Sequence, residues 1–437
     1  MTVQVAIFGG GPAGIAAAAW LSQRGVRVLC IDSGVRRGAR REVWTAAVGD
    51  RLQALALEGP LSEHAYACRV TLSSWGTDTQ DERYGLFNAH GDEWIVTRPE
   101  ISSVLRRALT DSPAEFREGA RLRHIRCVGR RWRIDWDEPV GRRSCIADAW
   151  IDATGVQSAG ARRVGARRLH FDRQLGLSGR VMRTKEGERM LGALMLETGS
   201  TGWWYMIGGD APMLDAVWMT DMDLLVEGPQ RTFHTAFSSS NRLGHWAQIS
   251  APNVSSIAAS LSCLDYTAGD GWCAVGDAAL QRDPLCGAGA YHAVNDGISG
   301  AETVLQALRG DASAWARHQT RYRERLEDHL RERWIVYGSE CRWPMERYWF
   351  RRSRVRKSGL VDPERRWNAT SMLAHDWERS GLPLESMRAI RKVLSSAPMS
   401  SLEMARCIRE TVGQALSDAW IVASIGRLEV SGCISSA

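Results

Sequence analysis

Apolar residues fill Val5-Ala6-Ile7-Phe8, the pattern of a strand buried on both faces. Gly9-Gly10-Gly11-Pro12-Ala13-Gly14 follows, then an alanine-rich run over 15–24 that predicts a helix. A second apolar strand, 26–31, closes on Asp32. Together these pieces make one βαβ unit. Further along, Ile101, Val104, Leu105 and Leu109 recur at helical spacing within 100–110, directly after Trp94-Ile95-Val96-Thr97-Arg98. Residues 127–136 and 144–152 predict hairpin strands around Pro139-Val140-Gly141, the second running into Asp152-Ala153-Thr154-Gly155.

From about 161 to 264 the pattern changes to short apolar strands parted by glycine turns, at 191–197, 203–207 and 215–219. That predicts an inserted sheet. Trp272-Cys273-Ala274-Val275 then leads to Gly276-Asp277 and on to Asp283-Pro284-Leu285-Cys286-Gly287-Ala288-Gly289. Helices are predicted over about 291–308 and 315–337. After Asp362-Pro363 the tail predicts amphipathic helices over 384–395 and 401–411, with Ser400 or Ser401 as N-cap, a third over about 415–425 and a short wing at 428–434. This succession resembles a winged helix-turn-helix. The expected fold is α/β (α+β). A discontinuous nucleotide domain takes 1–75, 94–160 and 265–330, and a β-sheet substrate domain takes 76–93 and 161–264. The small, mainly helical C-terminal region is 331–437, with its winged-helix-like tail at about 380–437.

With 437 residues, 44% hydrophobic and 24% charged, the chain has the make-up of a globular protein of two or three domains. No apolar run reaches the roughly 18–20 residues that cross a bilayer. The first residues pass straight into a strand, so a cytoplasmic protein without membrane contact is expected. The 10 cysteines are dispersed without a C-x-x-C pair, which argues against zinc and against a disulfide scaffold, and no metal is expected. The charge excess of +6 is concentrated at 342–366, where nine basic residues face three acidic ones. Such a block is a solvated face or the receiver of an acidic partner. The 19 tryptophans outnumber the 8 tyrosines and 7 phenylalanines combined, which reads first as core and sheet packing.

The glycine turn carries the first chemistry. Gly9 allows the tight turn, Gly11 lets a pyrophosphate approach the backbone, and Gly14 lets helix and strand pack closely, with Pro12 and Ala13 opening the helix. The helix N-terminus then faces phosphates, and Asp32 is placed to accept ribose hydroxyls. Thr154 and Gly155 return the chain to the nucleotide. Gly276 and Asp277 follow a strand, where a carboxylate reaches a ribityl chain, and Pro284, Gly287, Ala288 and Gly289 bring backbone amides near a ring. The three blocks point to a flavin held at both ends. Cys286 falls in this last loop, with plain packing as its alternative role. Trp203, Trp204 and Tyr205 are candidates for an aromatic substrate wall, with sheet packing as the alternative. Asp283 or His292 is the candidate base, against the ordinary reading of His292 as a hydrogen-bonded core residue.

The blocks at 9–14, 152–155 and 276–289 together resemble the flavoprotein monooxygenases of the glutathione-reductase-like, p-hydroxybenzoate-hydroxylase-type fold, over about the first 330 residues. Within that superfamily, Ala153-Thr154-Gly155 and the 283–289 loop look like the branch that holds the flavin-dependent halogenases. The same branch holds the enzymes that hydroxylate a peptidyl tryptophan to build quinone cofactors. Glu340-Cys341-Arg342-Trp343 and Tyr348-Trp349-Phe350-Arg351-Arg352 add to the likeness with the tryptophylquinone-forming members. The resemblance implies FAD, with Arg41 and Arg98 along the cofactor, Asp277 at its pyrophosphate or ribityl region, and Asp283, Pro284 and His292 in the catalytic loop and helix. It implies O2 as co-substrate and hydroxylation of an aromatic ring through a flavin C4a-hydroperoxide. The substrate so implied is a tryptophan of a peptide or small protein in cysteine tryptophylquinone biogenesis, with a leader recognised by the C-terminal region.

Two features depart from the halogenases. Those enzymes relay hypohalous acid through a lysine between the first two flavin blocks, whereas the first lysine here is Lys185. Their tryptophan motif with a downstream Ile-Pro is changed to Trp203-Trp204-Tyr205-Met206-Ile207-Gly208. Thr154-Gly155 stands where many aromatic hydroxylases carry Asp-Gly, so the electron source is left open among NADH, NADPH and a partner flavin reductase. The alternatives are a small-molecule aromatic hydroxylase, a halogenase, a geranylgeranyl-reductase-like flavoprotein and a flavin-dependent DNA-binding regulator. The tail is alternatively a lid or dimer contact. Nucleic acid is not favoured, because Trp and Glu interrupt the basic run.

Overall fold

The computed structural model describes residues 2–34, 40–55, 65–85, 93–110, 112–209, 212–225, 227–249, 253–353, 364–370 and 376–437. The Asp362-Pro363 boundary, and Arg354, Arg356 and Lys357 of the basic block, lie outside them. Contacts divide the chain into two units: 1–70, 84–168 and 266–322 form the first, and 71–83, 169–265 and 323–437 the second.

The first unit is built on the apolar strand Thr2–Phe8, which pairs in parallel with Val28–Asp32 on one edge and Gly141–Asp152 on the other. Glu115–Glu118 extends the sheet beyond Val28–Asp32, and Trp272–Ala274 lies parallel to the end of Gly141–Asp152. The helix Pro12–Ser22 begins three residues before its apolar run, with proline in its first turn where a missing N–H costs nothing. Every residue from Ala13 to Ser22 is buried. Small side chains make that possible: a Cβ at Gly297, in the helix Gly289–Leu308, would stand 2.2 Å from the Ala13 carbonyl oxygen. A second layer of aromatic residues covers the sheet, with Trp150 stacked on Trp272 at 5.0 Å and Phe8 at 5.5 Å from Trp150.

The segment read as one strand over 127–136 is two. Gly129, at φ +65°, turns the chain between Arg121–Val128 and Arg131–Glu138, and the latter pairs with Gly141–Asp152. The apolar positions shift phase there, from 125 and 127 to 132, 134 and 136, so Val128-Gly129-Arg130-Arg131 marks a break that reading 127–136 as one strand passes over.

The second unit holds an antiparallel sheet in which Gln174–Arg183, Met213–Asp221, Gly202–Gly208 and Ala193–Gly199 are successive neighbours. Three helices, Leu384–Leu394, Ser401–Val412 and Asp418–Val430, follow in its tail. The second opens with a capping box: Ser400 Oγ accepts from the Glu403 amide at 3.1 Å, and Glu403 accepts from the Ser400 amide at 2.7 Å. The third helix absorbs Leu428–Val430, so the strand expected at 428–434 is displaced to Ile434–Ser436. It pairs with Arg366–Ala369, which also pairs with Met399–Ser400, to make a three-stranded sheet. Among the described residues no helix is long and apolar enough to cross a membrane.

Candidate functional site

Phe8, Asp152 and Ala274 sit side by side at the carboxyl ends of three parallel strands. All three sequence blocks begin there, at the edge where open parallel sheets bind ligands. Gly9, at φ +106°, presses on the second block: a Cβ on it would stand 2.2 Å from the Ala153 carbonyl oxygen. A Cβ on Gly14 would stand 1.8 Å from the Gly9 carbonyl oxygen, so this position admits only hydrogen. Gly11 differs, because a Cβ there meets nothing within 4 Å. The helix it opens has no side-chain cap, which leaves first-turn amides facing open space.

Asp32 is more constrained than its sequence position implied. The Gly10 amide donates to its Oδ2 at 2.6 Å and the Gly34 amide to its Oδ1 at 2.7 Å. The carboxylate is thereby fixed beside the glycine turn, with its remaining lone pairs available to hydroxyls. Arg41 lies in the strand Arg41–Trp44, in register with Thr97, and so beside the backbone of Arg98. The side chains of Arg98 and Cys286 are outside the described residues.

The second block is organised by Asp152, a buried carboxyl that the sequence reading left without a role. Burial pushes its pKa up, against hydrogen bonds from Ala161 and Thr154 that pull the other way. Thr154 donates its amide (2.9 Å) and hydroxyl (2.7 Å) to Asp152 Oδ1, and accepts from the Ala159 amide at 2.6 Å. Its hydroxyl therefore shapes the turn, while Gly155, at φ +66°, exposes open space. Ser158, at φ +44°, joins this block to the next: its hydroxyl donates to the Ala278 carbonyl at 2.8 Å and accepts from Arg168 at 2.6 Å. Arg168 also donates to the carbonyls of Asp277 and Ala278. No local pattern in the sequence marks either residue.

In the third block the Gly276 amide donates to the Tyr322 hydroxyl at 3.2 Å, and a Cβ on Gly276 would crowd Ala13 at 3.0 Å. This contact packs the third block on the helix of the first. Asp277 is exposed between buried neighbours. Asp283, 1% exposed, accepts from the Leu285 amide at 3.0 Å and caps the turn Pro284–Cys286. That bond gives it an architectural role beside the expected one as a base. Gly287, at φ +61°, ends the turn, and the helix Gly289–Leu308 starts without a side-chain cap. A Cβ on Gly287 or Gly289 would meet nothing within 4 Å. His292 is half-buried in the first turn of that helix, its ring 5.6 Å from Tyr291.

Two uncapped helix ends and four glycines facing open space fit a ligand with a pyrophosphate at one end and a flat ring at the other. Residues 2–328 match the model of the FAD binding domain family. The chain belongs to that family. It is an FAD-dependent enzyme. A Marinomonas mediterranea protein described as an FAD-dependent oxidoreductase, LodB, is 23% identical over 360 residues, 79% of this chain and 95% of that one. Among solved structures, the flavin-dependent halogenase CmlS superposes with a TM-score of 0.72 at 16% identity, covering 100% of this chain and 96% of its own. The peptidyl tryptophan dihydroxylase QhpG, essential for tryptophylquinone cofactor biogenesis, gives 0.67 at 20% identity, with 95% and 100% covered. These likenesses establish a shared fold.

In the second unit the three aromatic residues do not make one wall, because successive residues of a strand face opposite sides. Trp204 packs under the helix Gly228–Ser238, 4.9 Å from Phe233 and 5.0 Å from Trp218. Trp203 and Tyr205 share the other face, where Trp203 donates its indole N–H to the Tyr337 hydroxyl at 3.2 Å and meets Trp75 edge-on at 5.9 Å. The basic block is likewise not a uniform solvated face. Arg351 and Arg352 are buried against Asp221, and Arg342 binds Glu340 and Asp78.

Proposed function

We propose that this enzyme is a monooxygenase that hydroxylates an aromatic ring, a tryptophan of a peptide or small protein, on the way to a tryptophylquinone. The carrying observation is the absence of any lysine before Lys185, which leaves the segment between the first two flavin blocks without the residue that relays hypohalous acid in halogenases. Full-length likeness to a peptidyl tryptophan dihydroxylase supports a peptide-borne ring. Equal coverage by a halogenase favours halogenation as the second reading.

FAD, when bound, supplies the activation of oxygen. First-turn amides of the helix Pro12–Ser22 would hold its pyrophosphate, Asp32 its ribose, and the 287–289 backbone its ring edge. The same loop would help exclude water from the reacting centre. Tyr205, half-buried, offers an aromatic surface, and the fully buried Trp203 and Trp204 do not. His292, rather than Asp283, is the candidate to take the ring proton at an imidazole nitrogen. Electrons would come from NADH, NADPH or a partner flavin reductase, and the tail helices would recognise a leader on the substrate. The test is oxygen uptake by the FAD-loaded protein with each reductant, with and without bromide. Oxygen-dependent product free of bromine supports the reading. Brominated product would replace it with the second, and failure to take up FAD would overturn both.

A further inference from the structure

Within the first unit, one side chain outside both the second and the third block ties them together. Arg168 sends a single terminal nitrogen, Nη2, to three oxygens: Ser158 Oγ at 2.6 Å, the Asp277 carbonyl at 2.7 Å and the Ala278 carbonyl at 2.8 Å. Two N–H bonds serve three acceptors, and the guanidinium charge strengthens each contact. Ser158 is fully buried and is, among the described residues, the one non-glycine in the left-handed region, a conformation that persists where its surroundings hold it. Its hydroxyl donates to the Ala278 carbonyl at 2.8 Å, so that oxygen accepts two hydrogen bonds and both its lone pairs are used. The turn Gly276–Ala278 is thereby gripped on its carbonyl side, while the Gly276 amide is held by the Tyr322 hydroxyl at 3.2 Å. Gly276 and Ala278 are buried, and Asp277 is exposed between them. With the backbone fixed on both sides, the Cα–Cβ bond of Asp277 is left one direction. Arg163 serves a different joint: it donates to the carbonyls of Leu122, Arg123 and Ala159, fastening the second block to the outer hairpin.

We propose that Arg168 is a positioning residue for FAD, which acts through the turn Gly276–Ala278 to aim the Asp277 carboxylate at the cofactor. The proposal rests on the reading of Asp277 as a contact of the pyrophosphate or ribityl region. A carboxylate accepts strongly from hydroxyls that meet it in line and weakly from those that do not, so the angle of the turn sets what Asp277 contributes. Arg168 itself needs no contact with the cofactor. Without its guanidinium the Asp277 carbonyl loses this donor and the Ala278 carbonyl keeps the Ser158 hydroxyl alone, so the turn can rotate and the carboxylate loses its aim.

The test is a double-mutant cycle on the full-length protein, read as FAD affinity by flavin titration of the apoprotein. Arg168→Ala and Asp277→Ala should each weaken FAD about tenfold, the loss of a charge-assisted contact. The double variant should bind no more weakly than D277A, because an aim without a carboxylate is worth nothing. Ser158→Ala, which removes the second tie to Ala278 without changing charge, should lose about threefold alone and nothing further beside D277A. Arg163→Ala, which removes carbonyl bonds from the same block at another joint, should multiply any loss it causes with that of D277A. Should R168A not fold, S158A decides by the same criterion. An R168A protein that binds FAD as the wild type does, or a loss that persists undiminished beside D277A, would overturn the positioning role while leaving Asp277 as a cofactor contact. Cancellation in R163A as well would overturn it too, because the coupling would then belong to the whole block. A D277A protein with unchanged affinity would instead remove the reading of Asp277, and the proposal with it.

Discussion

Gly11 and Gly14 stand three residues apart in one turn and serve different ends. A side chain at Gly11 meets no protein atom, so Gly11→Val should leave the melting temperature nearly unchanged while FAD binding weakens on the order of a hundredfold or more, measured by flavin titration. Gly14→Val drives a methyl group into the Gly9 carbonyl and should cost about 3 kcal/mol or more in chemical denaturation, whether or not FAD is present. Both glycines were legible, because phosphate loops impose their spacing on the chain. Asp32 was legible in position but not in its bonds to Gly10 and Gly34, which depend on how the turn folds back. Asp32→Ala removes both acceptors and should lower stability by about 2 kcal/mol even in the apoprotein. Asp152 and Ser158 escaped sequence reading because their partners are turn amides and carbonyls that no residue pattern encodes.

Elements decide which side chains can act together. The strand Gly202–Gly208 sends Trp203 and Tyr205 to one face and Trp204 to the other, a consequence of its two-residue period that a motif read as a string overlooks. Trp204→Ala should cost about 3–5 kcal/mol in urea unfolding, the value of a buried aromatic residue. Tyr205→Ala, on a half-buried position, should leave stability almost intact and raise KM for an aromatic substrate. At the tail, Ser400→Ala should cost about 1 kcal/mol through loss of the capping box, a device readable as Ser-x-x-Glu in the sequence. The basic block was misleading for the opposite reason. Arg351 and Arg352 find Asp221 some 130 residues earlier in the chain, a pairing that local charge counting does not register.

At the scale of the molecule, fold and cofactor family were legible because three short blocks, far apart in sequence, converge on the ends of adjacent parallel strands. Reaction choice is not a property of that fold, since halogenases and hydroxylases superpose on the chain alike. It rests on a few side chains and on what the enzyme is offered. The most direct measurement is therefore to co-express the chain with the proteins encoded on either side of its gene, under isotopically labelled O2 and with bromide present, and to sequence the products by mass spectrometry. The account predicts one or two labelled oxygen atoms on a tryptophan of a small protein, lost when Gly11 is replaced by valine. Bromine on that tryptophan, or unmodified proteins beside an oxidised free metabolite, would contradict it.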